Sequence, residues 1–170
     1  EEFVYGIKSQ KASSIGFNLK AGGSVRLGET SHLYLNGGYY SRAPFIRYVF
    51  TNYSNVLSND RLTNEKVAAI EAGYRFRWRG ASFDVNAYHT QWRDKSLMSS
   101  PLLRPDGTEY RAFITGLIQT HEGVEIEWRT RPTSWAEIGG MASFGNWRWD
   151  NDVNAEITAE EGGEVLETLY

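Results

Sequence analysis

Glu125 and Glu127 fall on one side of the stretch Gly123-Val124-Glu125-Ile126-Glu127, and two carboxylates on a shared face are what general acid–base catalysis needs. Arg129 continues the same side, so these residues read instead as a charge ladder along a strand. The three histidines are His32, His89 and His121, and none has a partner at metal-ligand spacing. His121 and Glu122 are adjacent, which on a strand puts them on opposite faces. With no cysteines, the chain has neither a disulfide framework nor a thiolate metal site. Gly22-Gly23 and Gly139-Gly140 lie inside alternating stretches rather than before helices, so no phosphate-cradling loop is read. No catalytic residue, metal or cofactor is assigned, and the chain is not read as an enzyme. The remaining binding chemistry is aromatic. Tyr48, Phe50 and Tyr53 in the first long polar stretch, and Trp147 and Trp149 at the rim of the sixth alternating stretch, could stack on a sugar or chelate. The plainer role for these rings is anchoring loops and an interface.

Strands must position all of these groups. Ile15, Phe17, Leu19, Ala21, Gly23, Val25 and Leu27 alternate with Gly16, Asn18, Lys20, Gly22, Ser24 and Arg26, a period of two that leaves little room for a helix. Ile70, Ala72, Tyr74, Phe76 and Trp78 likewise alternate with Glu71, Gly73, Arg75, Arg77 and Arg79. The pattern predicts antiparallel strands at 15–27, 33–43, 68–79, 82–94, 122–131 and 136–149, with almost no helix.

Tight turn signals stand near Gly28-Glu29-Thr30, Gly80-Ala81 and Pro132-Thr133-Ser134, separated by long polar stretches at 45–66, 96–120 and 150–170. Tall alternating strands joined by alternately short and long connections are the pattern of an outer-membrane β-barrel wall. The expected fold is therefore all-β, an antiparallel transmembrane barrel wall of meander hairpins, forming part of a barrel. Arg104-Pro105-Asp106-Gly107 predicts a turn, making 96–120 a hairpin that rises above the bilayer, whereas Glu160 to Glu167 reads as loop.

Lipid contact is expected at Phe17, Leu19, Val25, Leu35, Ile70, Tyr74, Phe76, Val85, Ile126 and Ile138. A polar lumen is expected to receive a ladder of Arg75, Arg77, Asp84, Glu125 and Glu127. Trp78, Phe83, Trp128 and Trp135 cluster near the tight turns, as rings favouring the headgroup level would. A two-residue turn at Gly80-Ala81 predicts Arg79 opposite Ser82, Trp78 opposite Phe83 and Arg77 opposite Asp84.

Composition bounds the classes. The 170 residues carry a formal net charge of −3, giving no basic footprint for nucleic acid. Mean hydropathy is −0.49, and no apolar run approaches the roughly 20 residues of a spanning helix. Barrel strands escape that test because half of each is polar. Opening on Glu1-Glu2-Phe3, the chain is expected to be a segment, residues 1–170, of one larger barrel domain.

Ser41-Arg42-Ala43-Pro44 is followed by Asn59-Asp60-Arg61-Leu62-Thr63-Asn64-Glu65-Lys66 and then Ile70-Glu71-Ala72-Gly73-Tyr74. This order resembles the TonB-dependent receptor barrel, in which an Arg-Ala-Pro-like strand end is followed by a loop closing on Asn-Pro-x-Leu-x-Pro-Glu and a strand with Glu-x-Gly. Asp60 and Asn64 stand here in place of the two prolines. Phe83 to Asp94 looks like the family's strand with an aromatic, Asp-containing rim, and Gly123 to Glu127 is similar to its Gly-x-Glu-x-Glu opening. The style of residues 41–95 looks most like receptors of the Bacteroidota.

The resemblance covers roughly residues 13–150 and implies about six strands of a barrel of about 22 with a plugged lumen. It implies a place in the bacterial outer membrane and energy-coupled uptake of a scarce nutrient: an iron chelate, a cobalamin, a glycan or a peptide. The partners implied are membrane lipid, that ligand, a TonB-type coupling protein acting on a plug domain that nothing here matches, and a surface lipoprotein. A passive porin or structural barrel shares the strand physics and lacks only the motif resemblance. A soluble carbohydrate-binding β-domain is the third reading.

Overall fold

Alternation at period two becomes strand throughout the computed structural model, which describes residues 8–50, 55–58, 61–159 and 165–169. The chain is all-β apart from short helical turns. The strands are β1 (Phe17–Leu27), β2 (Ser31–Arg42), β3 (Glu65–Trp78), β4 (Ala81–Met98), β5 (Leu102–Leu103), β6 (Glu109–Thr133), β7 (Ala136–Trp149), β8 (Ala155–Ala159) and β9 (Val165–Leu169). The one α-helix among the described residues, α1 (Ile46–Val49), is a single turn. All nine strands join one antiparallel sheet in the order β1-β2-β3-β4-β6-β8-β9, and β5 and β7 also pair with β6. The sheet is open.

β6 organises this sheet. Its 25 residues pair with β4 along one edge; on the other, β7 takes the half near the short turns and β8 the far end. β7 and β8 both run antiparallel to β6, so they act as one rising strand interrupted at 150–154. Asn151 covers the gap: its side chain donates to the Gly116 carbonyl at 3.0 Å and accepts from the Ile118 amide at 2.7 Å. The stretch 150–170, expected as loop, therefore contains the upper end of a strand and the returning β9. Residues 160–164 of the acidic run lie outside those described.

The stretch 96–120 is a hairpin, as its turn signal predicts. Gly107 has φ +88° and donates its amide to the Arg104 carbonyl at 2.9 Å. The Thr108 amide donates to Asp106 at 2.9 Å, and this backbone bond holds the carboxyl below the usual carboxylate range. Two compensating bulges interrupt the β4–β6 ladder. Asp94 (φ +56°) adds a residue to β4, and Gly116 (φ +75°) then lies where β6 gains one, so the pairing register is restored.

The first tight turn is Gly28-Glu29-Thr30, as expected, with Leu27 opposite Ser31, and the other two fall one or two positions away from those expected. Trp78 pairs with Ala81, so Arg79 and Gly80 form the β3–β4 turn with φ +37° and +82°, the signs of a type I′ hairpin. Phe76 then opposes Phe83, Tyr74 opposes Val85 and Arg75 opposes Asp84. The expected Trp78–Phe83 and Arg77–Asp84 pairing is thus wrong by two residues. The connection after β6 is Ser134-Trp135, and Pro132 sits at the bulge before it, where no ladder amide is required.

A shift of two leaves every side chain on its expected face. The register groups Leu19 with Tyr39, Leu33 with Tyr74, Tyr74 with Val85, and Val85 with Ile126. Large side chains on this face are solvent-exposed, including Leu19 at 67%, Ile70 at 52% and Phe144 at 67%. The only buried apolar residues among those described are Val49, Phe113, Leu117, Ile157 and Ala159, all toward the loop end. The sheet is held by its ladder, with little core beneath it.

The register gives a direct test, since the native chain has no cysteine to interfere. The double variant Phe76→Cys/Phe83→Cys should form a disulfide readily under mild oxidation, because directly opposed Cβ atoms lie about 4.5–5.5 Å apart. Trp78→Cys/Phe83→Cys, a diagonal pair, should crosslink far more slowly on a reducing-versus-nonreducing gel. The reverse order of rates would restore the turn at Gly80-Ala81.

Candidate functional site

Two groups of side chains occupy the polar face of the sheet. Nearer the short turns is a charge network. Asp84 receives Arg75 Nε at 2.8 Å and Arg77 Nη2 at 2.7 Å, so one carboxylate bridges two guanidiniums on β3. On the neighbouring strands Arg129 lies 3.5 Å from Glu127 and 3.4 Å from Glu137, and Glu137 also takes Arg131. Glu125 shares the face without an ion-pair partner among the described residues. A hollow of about 390 Å³ opens here, lined by Tyr34, Arg75, Asp84, Asn86, Glu125 and Arg129 among others. The five ladder residues expected from sequence do share a face. Glu137 and Arg131, outside that expectation, extend the network through β6–β7 pairing.

Farther along the same face stands an aromatic cluster. The indole of Trp92 on β4 lies 4.8 Å from the imidazole of His121 on β6, which lies 6.4 Å from the indole of Trp147 on β7. Trp149 extends the row. The Lys95 ammonium is 5.4 Å from the Trp149 ring and 5.9 Å from the Trp92 ring, and it donates to Gln119 Oε1 at 2.7 Å. His121 Nε2 is buried without a hydrogen-bond partner among the described residues. Strand pairing builds this arrangement, because His121 opposes both Thr90 and Trp147, and Gln119 opposes both Trp92 and Trp149.

Glycine lets the rings lie close to the sheet. A Cβ on Gly145 would come 2.6 Å from Trp147 Cζ2, so that indole rests against bare backbone on one side. Its other side is open, with Trp147 58% exposed and Trp149 48% exposed.

Of the aromatic residues proposed from sequence, Trp147 and Trp149 join this cluster. Tyr48 belongs to α1, where its ring meets Phe113 edge-on at 5.6 Å, and Phe50 is that helix's half-buried C-cap. Tyr53 lies outside the described residues. Trp92, His121 and Lys95 were missed, since only the β4–β6 pairing brings them to Trp147.

On the opposite face, apolar residues give way to polar ones toward the loop end. The row Ala87–Val124–Phe144 is followed by His89, Glu122 and Asn146. Glu122 lies 3.1 Å from His89 Nδ1 and 2.6 Å from Arg148, which in turn meets Asp150 at 2.8 Å. His121 and Glu122 thus occupy opposite faces, as their adjacency requires. Among the described residues no three His, Cys, Asp or Glu side chains are grouped as a metal site.

The motif residues at the ends of β2 and β3 close the base of the long connection between them. Arg42 pairs with Glu65, which is 2% exposed, and Asn64 donates to Ser41 Oγ and to the Ile15 carbonyl, each at 2.8 Å. Asn59 and Asp60 of that motif lie outside the described residues. Arg61 pairs with Glu156 on β8, and its guanidinium lies 4.2 Å from the Phe113 ring. The buried Arg61 side chain therefore ties the connection to the β6–β8 end of the sheet.

In comparisons with known proteins, no family model, no curated protein and no solved structure matches this chain.

Replacing Arg61 by Ala leaves Glu156 and Phe113 without their cation and should cost about 1.5–3 kcal/mol of local stability. Amide hydrogen exchange at Tyr48 and Ser58, whose N–H groups bond within the connection, should accelerate at least tenfold. Unchanged exchange there would mean that the Arg61 anchor is not what holds it.

Proposed function

We propose that the chain is part of the wall of an outer-membrane β-barrel, its apolar face toward lipid and its polar face toward a lumen. The observation that carries this is the near absence of a core among the described residues beside a face whose exposed side chains are aliphatic and aromatic along most of its height, whereas the other face carries the charged network with the exposed Met141, Trp147 and Trp149. A soluble sheet would bury that row, whereas a lipid-facing one leaves it uncovered. At about 3.4 Å per residue the apolar row runs roughly 20 Å along β4 and roughly 34 Å along β3. A tilt of about 40° brings the β3 row to about 26 Å, near the about 25 Å expected of an apolar band, and leaves the β4 row shorter at about 15 Å. Trp78, Trp128 and Trp135 mark its short-turn end as an aromatic girdle, and the His89–Glu122–Arg148 cluster marks the polar border at the other. The edges of β1 and β7 that have no partner strand among the described residues would continue into further strands of the same wall.

Within this reading the motifs around Ser41-Arg42-Ala43-Pro44, Asn64-Glu65 and Gly123 to Glu127 favour a TonB-dependent receptor taking up a scarce nutrient with energy from the inner membrane. The Arg42–Glu65 and Asn64–Ser41 contacts support that choice, because they give the motif residues a shared task in closing one loop. The gene upstream of the Glu1 codon decides between receptor and passive porin. A plug domain encoded there fits the receptor, and a signal peptide directly abutting the barrel fits the porin.

The membrane assignment is tested by the six tryptophans. Single-tryptophan variants reconstituted in vesicles of lipids brominated along the acyl chain should show strong quenching at Trp78 and Trp128. Quenching should be weak at Trp92 and Trp147. Equal quenching at all four, or none at Trp78 and Trp128, would remove the lipid-facing reading.

A further inference from the structure

We propose that the cluster of Trp92, Lys95, Gln119, His121, Trp147 and Trp149 binds a neutral oligosaccharide, an inference that rests on the polar face being the side that meets ligand. Pyranose rings present an apolar C–H face that stacks on indole and a rim of hydroxyls that pair with planar polar groups. Both complements are here. Trp147 and Trp149 are two positions apart on one face of β7, so their rings follow each other at about 6.8 Å along the strand. Spaced this way they form a track for successive units of an extended chain rather than a slot for one flat molecule.

The ring angles agree. Trp92 and His121 are inclined at 58° and His121 and Trp147 at 75°, so these rings form no parallel pair to sandwich a planar macrocycle or catechol. Gly145 supports Trp147 from behind and leaves its outer face free. His121 Nε2 is buried without a hydrogen-bond partner among the described residues, and a small turn of the ring would bring it to a hydroxyl, which can act as donor or acceptor whichever tautomer is present. The Gln119 amide and the Lys95 ammonium supply further donors. Lys95 is already bonded to Gln119 and lies near two indole rings, so a highly anionic chelate would find little free positive charge.

The test is a calorimetric titration of the whole chain, folded in detergent, with cellohexaose, maltohexaose and chitohexaose as neutral probes and a ferric tricatecholate as the anionic one. At least one neutral hexasaccharide should bind. Trp147→Ala and Trp149→Ala should each weaken it tenfold or more, Trp147→Phe by less than threefold, and Trp135→Ala, at the distant turn, not at all. Circular dichroism of the same samples establishes that each variant keeps its strands. Binding of the catecholate alone, no binding of any hexasaccharide, or equal loss in Trp135→Ala would overturn the inference. The barrel reading fails separately: a chain that stays monodisperse without detergent and still binds the sugar sinks that reading and leaves this one standing. A chain that requires detergent and binds no sugar does the reverse.

Discussion

Backbone hydrogen bonding between neighbouring strands is the interaction on which everything else in this chain depends. From β1 to β6 each strand is paired along most of its length, and even the turns are tied in, with Arg77 donating to Thr30 and Arg131 to Gly80. A sheet that satisfies its own peptide groups does not need water for them on either face. Its faces are then free to differ. One carries aliphatic and aromatic side chains with almost nothing packed against them, and the other carries ion pairs, tyrosines and a row of indoles. Most small soluble domains gain their stability from an interior, and here the few buried apolar residues gather where the long connections fold back on β6 and β8.

The same ladder explains how side chains far apart in sequence become a site. β6 is long enough to hold β4 on one edge and both β7 and β8 on the other, so it delivers His121 between Trp92 and Trp147 and Arg129 beside Glu137. Glycines at close approaches let large rings lie flat on the sheet: Tyr34 over Gly73, and Trp147 over Gly145. Any side chain at Gly73 would meet the Tyr34 ring, which makes that position intolerant for packing reasons whatever surrounds the sheet. The paired bulges at Asp94 and Gly116 set Lys95 opposite Leu117 and leave the pairing on either side in register.

What could be read from sequence follows from the mathematics of the pleat. Period two assigns Ile70, Tyr74, Val85 and Ile126 to one face and Arg75, Asp84 and Glu127 to the other, and that assignment survives in the structure. The same period cannot distinguish registers that differ by two residues. The expected Arg77–Asp84 opposition and the observed Arg75–Asp84 opposition are equally consistent with it, and Asp84 in fact reaches both arginines. The conformation of the turn decides, and positive φ at Arg79 is not a preference its residue type announces. β8 and β9 were hidden because Ala155–Ala159 and Val165–Leu169 are short and flank an acidic run with the composition of a loop. Half of the aromatic cluster was hidden for a different reason. Trp147 and Trp149 advertise themselves by sitting two apart, whereas Trp92 and His121 acquire meaning only through the β4–β6 pairing.

The central claim is that the two faces of one strand meet different solvents, and β6 between Gly123 and Trp128 offers the most direct measurement. Each residue there would be replaced singly by cysteine, the protein reconstituted in lipid vesicles, and the rate of reaction with a small water-soluble thiol reagent recorded. The account predicts a saw-tooth. Positions 125 and 127 should react quickly, and positions 124 and 126 at least tenfold more slowly, with the difference collapsing once the chain is unfolded in urea. Uniform rapid labelling of the folded protein, at Val124 and Ile126 as readily as at Glu125, would contradict it.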